Sequence, residues 1–284
     1  MLVVDMSAER YRAFQEPSNA PHLSAYWDNI SRQIQGHYYH NTLIGHIKRD
    51  IHLKLITRWC GNLENKIVLK TDLFEEAHGP DQFLFEIRSE KNIIGMDISS
   101  VIARKAQQNA YSLSCSSHKF LTCDVLKLPF TNNSLDVVIS NSTLDHFSEM
   151  ISITRALSEI FRVLKPGGTL ILTLDNKNSI SYFISLAKKI FRPDPFYIGK
   201  TCSASELHRM LQDVGFIVND MTAVVHGMEN HTSAMMEIIQ KLNNPLINRI
   251  ICHFLIYMER LEFAKTKYLT GAFIAAKAFK PQPI

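Results

Sequence analysis

The chain has 284 residues, 46% hydrophobic and 20% charged, with 31 Lys and Arg against 27 Asp and Glu for a net charge of +4. A chain of this size buries a full core without staples. Its mild basic balance, with no dense Lys/Arg run, does not indicate nucleic-acid binding. Five cysteines, none in C-x-x-C spacing, argue against a disulfide framework or a zinc site and for a reducing cytoplasm.

Residues 1–65 lack strand alternation and read as a helical N-terminal lid, rich in aromatics and His: Tyr26, Trp27, His37, Tyr38, Tyr39 and His40. Its opening MLVVDMSAERYRAF meets charge too soon for a signal peptide. Ile44, Ile47, Ile51, Leu55 and Trp59 recur at helical spacing and predict one apolar face. His37 and His40 have no carboxylate or Cys at ligand spacing, so no metal is expected.

The texture changes at residue 66. Short apolar runs at Ile67–Leu69, Ile93–Met96, Phe120–Thr122, Leu135–Ser140 and Leu170–Leu174 alternate with helical stretches such as Ile98–Tyr111 and Ile151–Leu164. This interval predicts βαβ units and a parallel sheet. Lys165-Pro166-Gly167-Gly168 stops a helix and turns into the fifth strand. Tyr182–Phe191 reads as an amphipathic helix with Lys188 and Lys189 on its polar side, Ser205–Val214 as a helix, Phe216–Val225 as a strand, 228–268 as a helical block and Gly271–Phe279 as the last strand. Ile250 to Met258 is the most apolar late stretch and is too short to span a bilayer.

In an open parallel sheet, ligands bind at the carboxyl ends of the strands near the switch point. The residues just after each strand are unusually polar here. Lys70-Thr71-Asp72 follows the first strand, and Asp72 with Glu75 three residues later predicts a capping box at a helix start. Asp97, closing the second strand, suits a pair of ribose hydroxyls. Asp124 follows the third strand and suits an adenine amino group. The cluster Ser140-Asn141-Ser142-Thr143-Leu144-Asp145-His146-Phe147 follows the fourth.

This ordered set resembles the class I S-adenosylmethionine-dependent methyltransferases of the methyltransferase type 11 kind. Gly95-Met96-Asp97-Ile98-Ser99 is similar to their ribose motif, and Cys123-Asp124-Val125 with Leu128-Pro129-Phe130 to their adenine motif. Leu135–Ser140 is similar to their fourth strand, and Arg162–Gly168 to their turn into the fifth. The resemblance covers roughly residues 66–225 and the last strand. It implies an α/β fold, a doubly wound Rossmann-like seven-stranded sheet, mostly parallel, with the lid at 1–65 and a methyltransferase domain at 66–284 that carries a helical insertion at 228–268. It implies S-adenosylmethionine as cofactor, with Asp97, Ile98, Asp124, Val125, Asn141 and Ser142 among the residues that bind it. One departure is large. The family usually places an acidic residue and a Gly-rich loop after the first strand, whereas here Val68-Leu69-Lys70-Thr71-Asp72-Leu73-Phe74-Glu75-Glu76 contains no glycine. The expectation is that side chains replace backbone contacts: Lys70 toward the methionine carboxylate, Asp72 toward its ammonium, with Thr71 beside them.

For an OH or NH acceptor, His146 is the first candidate general base, with Asp145 orienting it or acting alone. Asp175, Asn176, Tyr197, Gly199 and Thr201 are candidate acceptor contacts. The insertion reads as a cap over the acceptor pocket or a homodimer surface, with Met228, Met235, Met236 and Met258 as adaptable walls. The expected partner is a small-molecule acceptor for O- or N-methylation, with no nucleic acid and no stable membrane insertion. Two alternatives stand beside it: a non-catalytic S-adenosylmethionine-binding protein of the same fold, and a lipid or quinone methyltransferase at the membrane surface. A nicotinamide oxidoreductase would need G-x-G-x-x-G after the first strand, which is absent.

Overall fold

The apolar runs are strands, and apart from the edge strand at Lys119–Thr122 they are largely buried on both faces. A computed structural model describes residues 20–34, 42–89, 92–115, 117–189, 199–227 and 244–283; Tyr38, Tyr39, His37, His40, Tyr197, Met228, Met235 and Met236 lie outside them. Seven strands form one sheet: β1 (Ile67–Lys70), β2 (Asn92–Asp97), β3 (Lys119–Thr122), β4 (Leu135–Asn141), β5 (Leu164–Asp175), β6 (Ile217–His226) and β7 (Gly271–Phe279). Their order is β3-β2-β1-β4-β5-β7-β6. The first five pair in parallel, and β7 runs antiparallel between β5 and β6. The helices are α1 (Ala20–Gln33), α2 (Thr42–Cys60), α3 (Phe74–His78), α4 (Ser100–Ser112), α5 (Met150–Val163), α6 (Ile180–Lys189), α7 (Ala204–Val214), α8 (Pro245–Met258) and α9 (Lys267–Thr270). The doubly wound, mostly parallel sheet is the one the sequence predicts.

Period-two alternation sorts the strand residues between two layers. Val68, Ile93, Val137, Ile139 and Ile171 face a layer built by α1, α2 and α4. Leu69, Ile94, Val138, Leu170 and Leu172 face α5 and α7. The front helices are therefore part of the main core: Trp27, Ile47, Leu55 and Trp59 are buried in the same cluster as β1.

Two local readings differ from expectation. The capping box at Asp72 does not form. The residue before α3 is Leu73, which makes no side-chain cap, and Asp72 Oδ1 instead accepts from the Phe74 amide at 3.1 Å, closing a tight turn ahead of a single helical turn. Lys165–Gly168 is not a separate turn either. Strand β5 starts at Leu164, and the pairing jumps from Leu135–Leu164 to Val137–Thr169, so the four residues bulge from the ladder.

What replaces the glycines after β1 is a buried ion pair. Lys70 ends β1 with no solvent exposure; its Nζ donates to Glu76 Oε2 at 2.8 Å and to the Asp72 carbonyl at 2.5 Å, and lies over the Phe83 ring at 4.9 Å. Burial alone would strip the proton from Lys70, but Glu76, Asp72 and Asp81 outweigh it and hold its pKa above the usual lysine value. Leu73 is also fully buried and fills the space above Gly95, where a Cβ would come within 2.5 Å of it. The loop is thus pinned from below at both ends.

The lid helix α1 is tied to the opposite side of the site. Asp28 accepts from Ser99 Oγ at 2.5 Å and from the Val101 amide at 3.3 Å, capping α4 from outside its own segment. Ser24 Oγ donates to the Ile98 carbonyl at 3.0 Å. Further along, the Lys105 ammonium donates to His78 Nδ1, so the other ring nitrogen, Nε2–H, donates to Ser31 Oγ at 2.7 Å.

Lys70→Met leaves Glu76 buried without its cation and lowers unfolding free energy by about 3–5 kcal/mol, much of it recovered in Lys70→Met/Glu76→Leu. Urea titrations of the two variants measure this, and a single variant as stable as the parent would contradict it. Asp28→Ala costs about 1–2 kcal/mol and speeds amide exchange in α1 far more than in β1 or β4. Exchange that rises evenly along the chain would show that α1 is held by packing alone.

Candidate cofactor-binding cleft

The strand ends converge on one cleft at the switch point between β1 and β4. It encloses about 480 Å³ open to solvent, and its lining comes from the ends of four strands and from α1. Of the residues the sequence singles out as the site, it brings together Thr71, Asp72, Ile98, Asp124, Val125 and His146. Leu23 and Trp27 of α1 close one side, beside Met96, Cys123, Thr143 and Phe147. The lining holds two carboxylates and no Lys or Arg.

The other expected site residues sit behind this surface. Lys70 does not reach the cleft, because Glu76 holds its ammonium beneath the loop. The expected contact from Lys70 to a ligand carboxylate is therefore not available in this arrangement; Asp72 is the nearest charged side chain facing the cleft, 3.8 Å from Lys70. Asp97 is buried under the first loop. Its Oδ2 accepts from the Leu73 amide at 3.1 Å and its Oδ1 from the Ser99 amide at 2.8 Å, so it joins the loop after β1 to the start of α4. Each oxygen keeps a second lone pair for a ligand hydroxyl. Burial, and next the charge of Asp72, push the Asp97 carboxyl up to about 8. Burial also raises Asp72, opposed by Lys70 and His146.

Asn141, Ser142 and Asp145 form a third network at the ends of β4 and β5. Asn141 Oδ1 accepts from Thr173 Oγ1 at 2.6 Å. Ser142 turns the chain at φ 49°, a left-handed backbone that few non-glycine residues adopt, and donates its hydroxyl to Asp145 Oδ2 at 2.8 Å. The same Asp145 oxygen accepts from the Asp175 amide at 2.9 Å. Asp145 is buried and braces the loop that presents His146. The His146 ring packs edge-on against Trp27, with centroids 4.8 Å apart. Gly199 docks on the same loop: its amide donates to the Asp145 carbonyl at 2.7 Å, and a Cβ there would come within 2.1 Å of the Phe147 carbonyl. Asn176 turns inward, its amide donating to the Tyr268 and Gly271 carbonyls.

Thr143 and Met96 are cleft residues that the sequence reading does not pick out. Thr143 lies inside the polar cluster after β4, and its Oγ1 meets Thr71 Oγ1 at 3.0 Å, tying the two switch-point loops together. Met96 precedes Asp97, and the alternation that buries Asp97 beneath the loop could have placed its neighbour facing the cleft. Among the described residues, no group of three or more His, Cys, Asp and Glu is arranged to hold a metal.

The residues present suit S-adenosylmethionine. Carboxylates at the ends of β1 and β3 line the cleft and match amino and ammonium donors, with apolar side chains beside them, and Asp97 at the end of β2 lies just behind the lining. Residues 77–172 match a family model described as a methyltransferase domain. A protein of Mycolicibacterium smegmatis named as a probable S-adenosylmethionine-dependent methyltransferase is 27% identical over 141 residues, 47% of this chain and 51% of its own length. Probable tRNA methyltransferase 9B of Bos taurus is 31% identical over 96 residues, 33% of this chain and 20% of its own. The chain thus spans about half the length of the first of these curated relatives and a fifth of the second. Among solved structures, the 4+2 cyclase SpnF superposes with a TM-score of 0.60 at 18% identity, over 93% of this chain and 98% of its own. Phosphoethanolamine N-methyltransferase 2 of Haemonchus contortus, in complex with phosphomonomethylethanolamine and S-adenosylhomocysteine, gives 0.54 at 16% identity over 82% and 53%. These two solved structures show the shared fold, and residues 77–172 are similar to a methyltransferase domain.

Proposed function

We propose that the chain methylates a small-molecule acceptor, with S-adenosylmethionine held in the cleft at the switch point. The observation that carries this reading is the convergence of Thr71, Asp72, Ile98, Asp124, Val125 and His146, from four strand ends, on one cleft. Asp97, behind the cleft wall, would accept from the ribose hydroxyls through its remaining lone pairs, Asp124 and Val125 would flank the adenine, and Thr71 and Asp72 would face the methionine ammonium. When bound, S-adenosylmethionine supplies an electrophilic methyl group on a sulfonium, already a good leaving group.

The chain's own part is then positioning and proton handling. Trp27, Leu23 and Phe147 supply apolar walls to the cleft. His146, presented on the Asp145-braced loop and set against Trp27, takes the proton that an OH or NH acceptor loses. A cleft lining with two carboxylates and no Lys or Arg suits a small acceptor better than a polyanion such as RNA. Five free cysteines accord with a reducing cytoplasm. SpnF, a cyclase on this fold, keeps one other reading open: a chain that binds the cofactor without transferring its methyl group.

Calorimetry with S-adenosylhomocysteine tests the cleft. Ribose hydroxyls donate to the ionised form of Asp97, so binding lowers a pKa raised to about 8 in the free protein and releases a proton. Affinity therefore rises between about pH 6 and 8, and the slope vanishes in Asp97→Asn, which also binds at least about ten-fold more weakly. No binding at millimolar ligand would sink the reading. Once an acceptor is found, His146→Ala lowers kcat by about 10²–10⁴-fold while leaving S-adenosylhomocysteine affinity near the parent value. Unchanged turnover would remove His146 from proton transfer.

A further inference from the structure

The cleft end of the molecule carries an apolar surface that the methyl-transfer reading leaves unused. Helix α8 is apolar on two faces. Its inner face, with Ile251, Cys252 and Leu255, joins the core against α2. Its outer face exposes Leu246, Ile250, Phe254 and Tyr257, spaced four, four and three residues apart, so they form one stripe along the helix. Phe263 follows at 81% exposed. Leu269 of α9 is exposed as well, and α6, which packs beside α9, exposes Ile180, Phe183 and Leu186. A water-soluble monomer seldom leaves so many large apolar side chains together in solvent.

Topology places this surface at the cleft. Helix α6 leaves the carboxyl end of β5. Helices α8 and α9 bridge the carboxyl end of β6 to the start of β7, which lies at the same end because β7 is antiparallel, with His226 beside Gly271 and Asp175 beside Phe273. Thr71, Ile98, Asp124 and His146 occupy that end too.

The exposed charges of residues 244–270 have one sign. In residues 244–270 the exposed charged side chains are Arg249, Arg260 and Lys265. The two acids of the segment turn inward: Glu259 accepts from the Val225 and His226 amides, and Glu262 pairs with Arg58. Arg260 lies over the Tyr257 ring at 5.3 Å, a cation set at the edge of the apolar stripe. Apolar side chains rimmed by cations complement the headgroup layer of an anionic bilayer, where the side chains enter the acyl boundary and the cations meet phosphate. No described helix is long and apolar enough to cross a membrane, so the contact is peripheral.

We propose that this face of α6, α8 and α9 docks the protein on an anionic lipid surface, with the cleft at the membrane, so that the acceptor is a membrane-soluble amphiphile. The substrate half of this inference rests on the methyl-transfer reading; the docking half does not.

Co-sedimentation of the whole protein with phosphatidylcholine vesicles, with and without phosphatidylglycerol, is the test. The expected result is binding to the anionic vesicles, weakened by salt and by neutral lipid, and reduced at least about ten-fold in Ile250→Glu/Phe254→Glu. S-adenosylhomocysteine calorimetry on that variant, unchanged from the parent, shows that its loss of vesicle binding is not unfolding. Protein that stays in the supernatant with anionic vesicles at low salt overturns the proposal, as does binding that the double variant does not reduce. So does a concentration-dependent dimer, seen by analytical ultracentrifugation, that the double variant dissolves, since the face would then join two copies. Vesicle binding without cofactor binding would leave docking standing and refute the methyl-transfer reading; the reverse would do the opposite.

Discussion

A lysine with no solvent exposure sits where the sheet needs its sharpest turn, and the arrangement of the cleft follows from how its charge is met. A free ammonium cannot be left at the end of β1, so the chain must bring a carboxylate to it. Glu76 does this from the single turn of α3, six residues on. That closure fixes the path of residues 71–75. It turns Asp72 toward the cleft, drives Leu73 into the space over Gly95 and aims the Leu73 amide at Asp97. Glu76 Oε1 also accepts from the Leu84 amide, carrying the constraint to the segment beneath. A glycine-rich loop would leave this path to the backbone; here side-chain electrostatics specify it.

The same economy of means recurs at the other strand ends. Backbone that would be costly alone is held by a carboxylate. Ser142 at φ 49° is braced by Asp145, and Val225 at φ 63°, a β-branched residue in a region that disfavours it, precedes the turn whose amides Glu259 accepts. Burial pushes Glu259 up to about 7, so its grip on this turn is a balance between desolvation and two backbone hydrogen bonds. These two positions lie at the cleft end, one beneath the candidate base and one at the root of the apolar surface, while Ser114 and Asn133 adopt the same region ahead of β3 and β4. The opposite end of the sheet is secured more plainly, by Lys165 on Asp136 and by Lys280 on the Phe161 carbonyl.

How much of this could be read from the sequence depends on the range of the interactions. The sheet was legible because burial on both faces leaves continuous apolar runs such as Ile67–Leu69 and Leu170–Leu174, and because strand-end acids stand at βαβ intervals. The cleft was legible for residues that act from their own strand end, such as Asp124 and Ile98. Lys70 was misplaced because its partner is set by a fold in space. Spacing alone cannot tell a lysine facing a ligand from one paired inward with Glu76. Asp72 and Glu75 match a capping-box pattern, yet the pull of Lys70 on Glu76 starts the helix one residue late. Asp28 capping α4 from 71 residues away carries no local signal at all.

Charge is also divided between the two surfaces at the cleft end. The cleft holds carboxylates and no Lys or Arg, while the described apolar face beside it exposes only cations. A net charge of +4 reads as bland when summed over 284 residues, but its distribution is not. An anionic surface is drawn to the α8 side by its exposed cations, which favours one orientation of approach. The carboxylates in turn favour a ligand bearing hydroxyls and an ammonium. The two surfaces therefore differ in charge and polarity at one end of the sheet, as the proposed pairing of a polar methyl donor with a membrane-soluble acceptor requires.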